Sequence, residues 1–262
     1  MGTFALAAVS LVTLLAAGTA LWLVSLRRND VSIVDVAWGP AFAVVAALGL
    51  AFGEGARPRR LLVAALVAVW AARLAARIWR RNRGRGEDRR YRAFRERYGP
   101  ERYRWLSLFQ AFWLQAALAW VVSLPLQLAA TAPAPEGLVP LDLLGALVWA
   151  VGFAFEAVGD AQLDRFAADP ANRGRVMDRG LWRYTRHPNY FGDAVLWWGL
   201  GLIALAVPWG WVGLAGPALM TFLLLRVSGV AMLERDIAER RPGYRAYAAR
   251  TSAFVPWPPR RG

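Results

Sequence analysis

Gly180-Leu-Trp-Arg-Tyr-Thr-Arg-His-Pro-Asn-Tyr-Phe-Gly-Asp193 is the stretch whose reading decides the fold. It holds the chain's one histidine, His187, with Arg179, Arg183 and Arg186 in or beside it. Its last residue, Asp193, opens an apolar run that continues to Val207. A basic loop therefore passes straight into a membrane helix. Pro188 suits the first turn of that helix, where its missing N–H would have no partner anyway. Asn189 and Tyr190 follow at the helix mouth. A helix N-terminus flanked by arginines favours an anion such as a phosphate. A basic loop that only sets topology is the simpler alternative.

Composition points the same way. Hydrophobic residues make up 57% of the 262, yet the net charge is +14. All 32 basic residues are arginine, and they lie between long apolar runs. That pattern defines an all-α polytopic membrane protein, not a soluble nucleic-acid binder. With no cysteine the chain has no disulfide and no thiolate, and one histidine cannot build a multi-histidine metal site. The first apolar run, 4–26, is too long for a signal-peptide core and lacks a basic leader, so it is read as a span.

Seven stretches are long enough to cross hydrocarbon: roughly 3–26, 31–52, 59–79, 106–130, 138–160, 188–207 and 209–233. Pro125 and Pro217 are expected to kink the fourth and seventh. The loop 80–104 carries net +7, the loop 160–187 net +2 and the tail from residue 234 net +4. With seven spans these segments share one side, which puts the N-terminus outside and the C-terminus in the cytoplasm of a bacterial-type inner membrane. Arg57, Arg59 and Arg60 fall on the opposite side as an exception. The sequence marks no domain boundary, and 1–262 is read as one transmembrane domain.

Ionisable groups inside spans are costly and are usually paired or functional. They include Asp35 in the second span, Arg73 and Arg77 in the third, Glu156 and Asp160 in the fifth, and Arg226 in the seventh. Mutual pairing suits the deeper ones, and ligand binding suits Asp160, Asp193 and Arg226 near the basic loops. Asp35 has a bland alternative as a helix-end acid facing Arg27 or Arg28. The loop Arg80-Arg-Asn-Arg-Gly-Arg-Gly-Glu-Asp-Arg-Arg-Tyr91 combines close-turning glycines with arginine forks that match phosphate. The tail from Glu234 to Tyr247 is expected to lie as an amphipathic segment at the membrane surface, with Tyr244 and Tyr247 on one side.

These motifs together resemble the membrane-embedded steroid 5-alpha-reductase family. The resemblance runs from about Asp35 to the C-terminus. It is strongest in Asn82-Arg-Gly-Arg85, between Asp160 and Asp193, and in Arg241-Pro-Gly-Tyr-Arg-Ala-Tyr247. It implies a seven-helix bundle, NADPH entering from the cytoplasmic side, and a lipophilic enone entering from the bilayer, with no metal. Carried over by motif, Asn82 and Arg85 resemble residues at the cofactor's phosphate end. Asp160, Arg175 and Arg179 lie on the loop expected to cover the nucleotide. Asn189 and Asp193 match the Asn-x-x-Gly-acid pattern that meets the nicotinamide amide. Arg186, His187, Tyr190 and Tyr244 join the cofactor side, and Arg226, Glu234 and Arg235 match the end of the seventh helix. Asp35 falls where the family places the acid that grips the substrate ketone, with Trp38 one turn on as a wall of the slot. The vertebrate enzymes pair that acid, a glutamate, with a tyrosine on the third helix. Here the third span offers Trp70 and Arg73 instead.

The resemblance implies reduction of a conjugated carbon–carbon bond. Charge would build on the carbonyl oxygen, and a protonated Asp35 could donate to it. Membrane isoprenylcysteine-type methyltransferases are the second resemblance. They share an Arg-His-Pro-x-Tyr helix start and a tyrosine-rich tail, and bind S-adenosylmethionine. Their tail starts with paired glutamates, where this chain has Glu234-Arg235. A non-catalytic lipid-binding scaffold is a third class, distinguished by having no nucleotide affinity.

Overall fold

Long runs rich in Ala, Leu and Val form the helices here, because in hydrocarbon every backbone N–H and C=O must be satisfied within its own segment. The structure is a computed structural model that describes residues 1–227, 229, 230, 234, 237 and 241–260. Among these residues the only β pairing is an isolated bridge between Thr185 and Ser252. Six helices are long and apolar enough to cross a membrane, the architecture of a multi-pass integral membrane protein. The remaining stretch expected to span, now a helix at Pro188–Leu205, has 18 residues. It is not among the six, because Asn189, Tyr190 and Asp193 make its mouth polar.

The described residues form two compact units. The first comprises Met1–Asp142 and Ala204–Ala215. Its α1 (Thr3–Arg28) ends on Asn29, whose left-handed backbone turns the chain into α2 (Ile33–Phe52). α3 (Arg57–Asn82) starts with Pro58 in its first turn. α2 and α3 touch closely at Gly39, where an added Cβ would lie 3.0 Å from the Ala71 carbonyl oxygen. Small residues at such crossings let two backbones approach within van der Waals reach. A short α4 (Arg89–Tyr98) follows the arginine loop, and α5 (Pro100–Ser107) begins the next span earlier than the sequence suggested.

That span winds through a π turn, Leu108–Trp113, into α6 (Leu114–Val122). The chain then breaks at Ser123, and α7 (Leu124–Thr131) starts anew. Pro125 therefore does not kink a continuous helix as expected. It sits in the first turn of α7, where a missing N–H costs nothing. Arg59, the topological exception, is fully buried in a two-pronged pair with Asp142 at 2.8 and 2.9 Å, and also reaches the Pro135 and Gly137 carbonyls. Burial with a full set of partners is what lets it sit against the charge bias of its side.

The second unit comprises Leu143–Ile203 and Gly216–Gly262. Most of α8 (Pro140–Ala168) and α9 (Pro188–Leu205) lies here. The two run antiparallel along a ladder of glycines. An added Cβ on Gly145 would lie 2.6 Å from the Gly199 oxygen, and on Gly152 2.4 Å from the Leu196 nitrogen. A Cβ on Gly159 would lie 3.2 Å from the Asn189 nitrogen. A spacing of seven returns these glycines to one helix face. α10 (Ala215–Phe222) includes Pro217 and runs into a π turn, Leu223–Val227.

The loop after α8 is pinned back onto it. The Leu181 N–H donates to Gln162 Oε1 at 2.9 Å, and the Trp182 indole donates to the Gly159 carbonyl at 3.0 Å. α11 (Tyr244–Arg250) buries Tyr244 and Tyr247, and the Tyr247 hydroxyl donates to the Trp182 carbonyl. The tail tyrosines therefore pack into protein rather than facing a membrane surface. The partner of Tyr247 lies 65 residues away in the loop, beyond the reach of a local amphipathic pattern.

Candidate functional site

Three polar groups hold many of the sequence-selected residues, one in the first unit and two in the second. In the first unit Asp35 lies in the opening turn of α2, where an acid suits the positive end of the helix dipole. Its partners are neither Arg27 nor Arg28. Arg90 Nη2 donates to Asp35 Oδ2 at 2.6 Å, and the Tyr91 hydroxyl donates to Oδ1 at 2.8 Å. Both donors come from α4, which Asp88 caps by accepting from the Arg90 N–H at 2.9 Å. The loop is anchored to the α1–α2 turn by Glu87, which accepts from the Val31 N–H at 2.9 Å and from Arg95. Burial pulls the Arg90 pKa down, but the Asp35 charge and the Asp88 hydrogen bond outweigh it and raise it. Burial and the Asp35 charge together push the Tyr91 hydroxyl well above its ordinary value.

Tyr91 is the residue that sequence reasoning missed. The third span has no tyrosine, and in the structure Tyr91, on the short helix after it, meets Asp35. The stretch Arg89-Arg-Tyr91 was visible, but nothing local ties it to a residue 56 positions earlier. Gln115 extends the chain of contacts, its Nε2 donating to the Tyr91 oxygen at 3.3 Å. Gln115 also lines an apolar cleft of about 120 Å³ with Leu14, Gly18, Trp38, Val44 and Phe112. Trp38 thus walls a cleft, as expected, and packs edge-on to Phe42 at 5.2 Å. Arg90 donates to one Asp35 oxygen and Tyr91 to the other, so both oxygens act as acceptors in this arrangement. Asn82 closes α3, its Oδ1 accepting from Arg81 Nε at 3.2 Å. Arg85 is exposed between Gly84 and Gly86, whose φ angles of 77° and 68° make the loop turn tightly.

In the second unit Asp160 is buried on α8, and its Oδ1 accepts from Asn189 Nδ2 at 3.0 Å. Asn189 Oδ1 is also buried and has no hydrogen-bond partner among the described residues. Such an oxygen is an acceptor waiting for an N–H, because leaving it unpaired costs about 1–3 kcal/mol. Asp193 follows four residues on, one helical turn along the same face of α9.

A further group gathers around Glu234. Arg186 grips both its oxygens at 2.7 and 3.0 Å, and His187 Nε2 donates to Oε1 at 2.9 Å. The His187 ring stacks on Tyr190 at 5.6 Å. Burial alone would raise the Glu234 carboxyl, but the hydrogen bonds from His187 and Arg186 outweigh it and hold it at about 2. Burial, then the Glu234 charge, pushes the Tyr244 hydroxyl up. Arg186 also reaches the Ala248 and Thr251 carbonyls at 2.9 and 3.1 Å. This fork holds the C-terminal segment in place rather than standing open to a phosphate. Arg175, Arg179 and Arg226 are exposed, and Arg235 lies outside the described residues. No group of three or more His, Asp or Glu side chains that could hold a metal occurs among the described residues.

The sequence profile of DUF1295, described as a protein of unknown function, matches residues 21–251, and the chain belongs to that family. An uncharacterized protein of Schizosaccharomyces pombe, C594.04c, is 26% identical over 272 residues, covering 91% of this chain and 76% of its own. A probable O-methyltransferase, ustE, of Ustilaginoidea virens is 32% identical over 99 residues, which is 34% of this chain and 35% of its own. No solved structure matches the chain.

Proposed function

We propose that this protein reduces the carbon–carbon double bond of a lipophilic enone, a 3-oxo-Δ4 steroid or a similarly flat lipid, using NADPH. The observation that carries this reading is an apolar cleft walled by Trp38 whose lining connects, through Gln115, to the hydrogen-bonded Asp35–Tyr91 pair. An apolar slot joined to a polar network at one end suits a lipophilic enone whose oxygen gains charge during reaction. The bundle has seven spans, with Pro188–Leu205 as the sixth, its N-terminus outside and its arginine-rich loops in the cytoplasm, in a bacterial-type inner membrane.

The Asn189 oxygen, without a hydrogen-bond partner among the described residues, suits the N–H of a carboxamide, which supports a nicotinamide cofactor. NADPH, when bound, supplies the hydride that the enone's β carbon receives. Asn189, oriented by Asp160, would hold the carboxamide together with Asp193. Arg175 and Arg179, exposed on their loop, would meet phosphate. Arg186, His187, Tyr190, Glu234 and Tyr244 keep the surrounding loop in shape. Trp38 excludes water from one side of the lipid.

The match to a probable O-methyltransferase favours a second reading, transfer of a methyl group from S-adenosylmethionine. Thermal unfolding of the detergent-purified protein with NADPH, NADH or S-adenosylmethionine separates the two. A ligand at 100 times its Kd stabilises by about 2.7 kcal/mol. NADPH is expected to stabilise, and Asn189→Ala or Asp193→Ala to cut enone turnover at least about tenfold by loosening the reactive ring. Stabilisation by S-adenosylmethionine alone would sink the reductase reading.

A further inference from the structure

The cleft between α1, α2 and α6 is apolar apart from two side-chain N–H sources, the Gln115 amide and the Trp38 indole. Asp35 and Tyr91 are not part of its lining. In this arrangement neither has a proton directed at a carbonyl in the cleft. Arg90 holds one Asp35 oxygen and the Tyr91 hydroxyl holds the other, so the single Tyr91 proton points at Asp35. The Tyr91 oxygen can then only accept from Gln115, which fixes the amide with its nitrogen toward the tyrosine. An amide nitrogen carries two hydrogens, and Tyr91 takes one.

We propose that Gln115 is the oxygen-binding residue of this cleft, donating its second N–H to the carbonyl of a lipid whose first ring fills the cavity. The ketone's role as an enone substrate rests on the reductase reading, but its recognition by Gln115 does not. Size supports one ring. A dry cavity of about 150 Å³ holds benzene, and this one measures about 120 Å³. The rest of a polycyclic lipid would lie along Ala17, Pro40 and Val44, the exposed part of the lining. A ligand lacking the oxygen would leave a desolvated N–H unpaired, so discrimination of about tenfold or more is expected.

The test is equilibrium binding of a tetracyclic 4-en-3-one and its 3-deoxy counterpart to the full chain in detergent. Wild type is expected to prefer the ketone at least about tenfold. Gln115→Met, matched in length but apolar, should bind both alike, at the wild-type affinity for the deoxy compound. Gln115→Asn, whose amide is drawn back by one methylene, should also lose the preference and covers the case in which the methionine variant misfolds. Trp38→Phe should keep it. A ketone preference that survives in the folded Gln115 variants, disappears in Trp38→Phe, or is absent from wild type overturns the assignment. Ketone preference without NADPH-dependent turnover would instead remove the reductase reading and leave Gln115 standing. Turnover in a Gln115→Met protein with undiminished preference would do the reverse.

Discussion

Asp35 carries more than one interaction, and its variants should separate them. Asp35→Leu leaves the half-buried Arg90 guanidinium with Asp88 as its remaining counter-charge and takes the acceptor from Tyr91. A stability loss of about 1–3 kcal/mol is expected. Turnover per folded molecule should fall roughly 10²-fold, the scale of losing one oxyanion donor, because Tyr91 and Gln115 lose their register. Asp35→Asn keeps an acceptor for Tyr91 and should retain part of the activity, while NADPH affinity stays unchanged in both. Full turnover in folded Asp35→Leu would take this residue out of the mechanism. Glu234 makes a different prediction, set by pH. Its carboxyl titrates at about 2 in the folded protein against an ordinary value of 4.5. The unfolded chain therefore binds the proton first as pH falls, so the stability from this cluster is complete above about 4.5 and lost toward 2. The gap in unfolding temperature between wild type and Glu234→Gln should be wide at pH 6 and close as acid is added. A gap that stays constant down to pH 3 would contradict this pairing.

At the level of elements, the α8–α9 pair depends on backbone meeting backbone. Dispersion between close helices is what associates them where lipid is as apolar as leucine. At Gly152 an added Cβ would meet the Leu196 nitrogen at 2.4 Å and the Gly192 oxygen at 2.6 Å, atoms that cannot rotate aside. Gly152→Val should therefore push the helices apart, costing about 3 kcal/mol or more as overpacking in a tight core does. Because Asp160 and Asn189 face each other across this pair, their 3.0 Å hydrogen bond should fail with it. Cofactor-dependent stabilisation is the readout, and a Gly152→Val protein that binds NADPH like wild type would show that the ladder is not needed.

For the whole molecule, the absence of cysteine makes orientation directly measurable. Single cysteines can be placed at Glu136, between α7 and α8, and at Arg85, in the arginine loop. A membrane-impermeant maleimide applied to intact cells should label the first and reach the second only after lysis. The reverse pattern would put the arginine-rich loops outside and the cofactor side with them. On the side expected to face out, the buried pair with Asp142 takes Arg59, one of the three arginines there, out of the charge count.

The membrane class, the helical segments and the helix mouth at Pro188–Asn189 were legible in the sequence. Hydropathy and proline sterics act within a few residues, so a linear reading captures them. The same reading picked Trp38, which lines the cleft, and Asp160 and Asn189, which meet each other. It could not give Asp35 its partners, because Arg90 and Tyr91 reach it from 55 and 56 residues away. Nor could it tell that Arg186 is held by Glu234, 48 residues on, instead of standing open. Pro125 misled because proline either kinks a helix or begins one, and only the break at Ser123 selects between them. A charge or a tyrosine carries no record in its local sequence of which distant element will bring its counterpart. That choice belongs to the crossings of the helices, which only the tertiary structure decides.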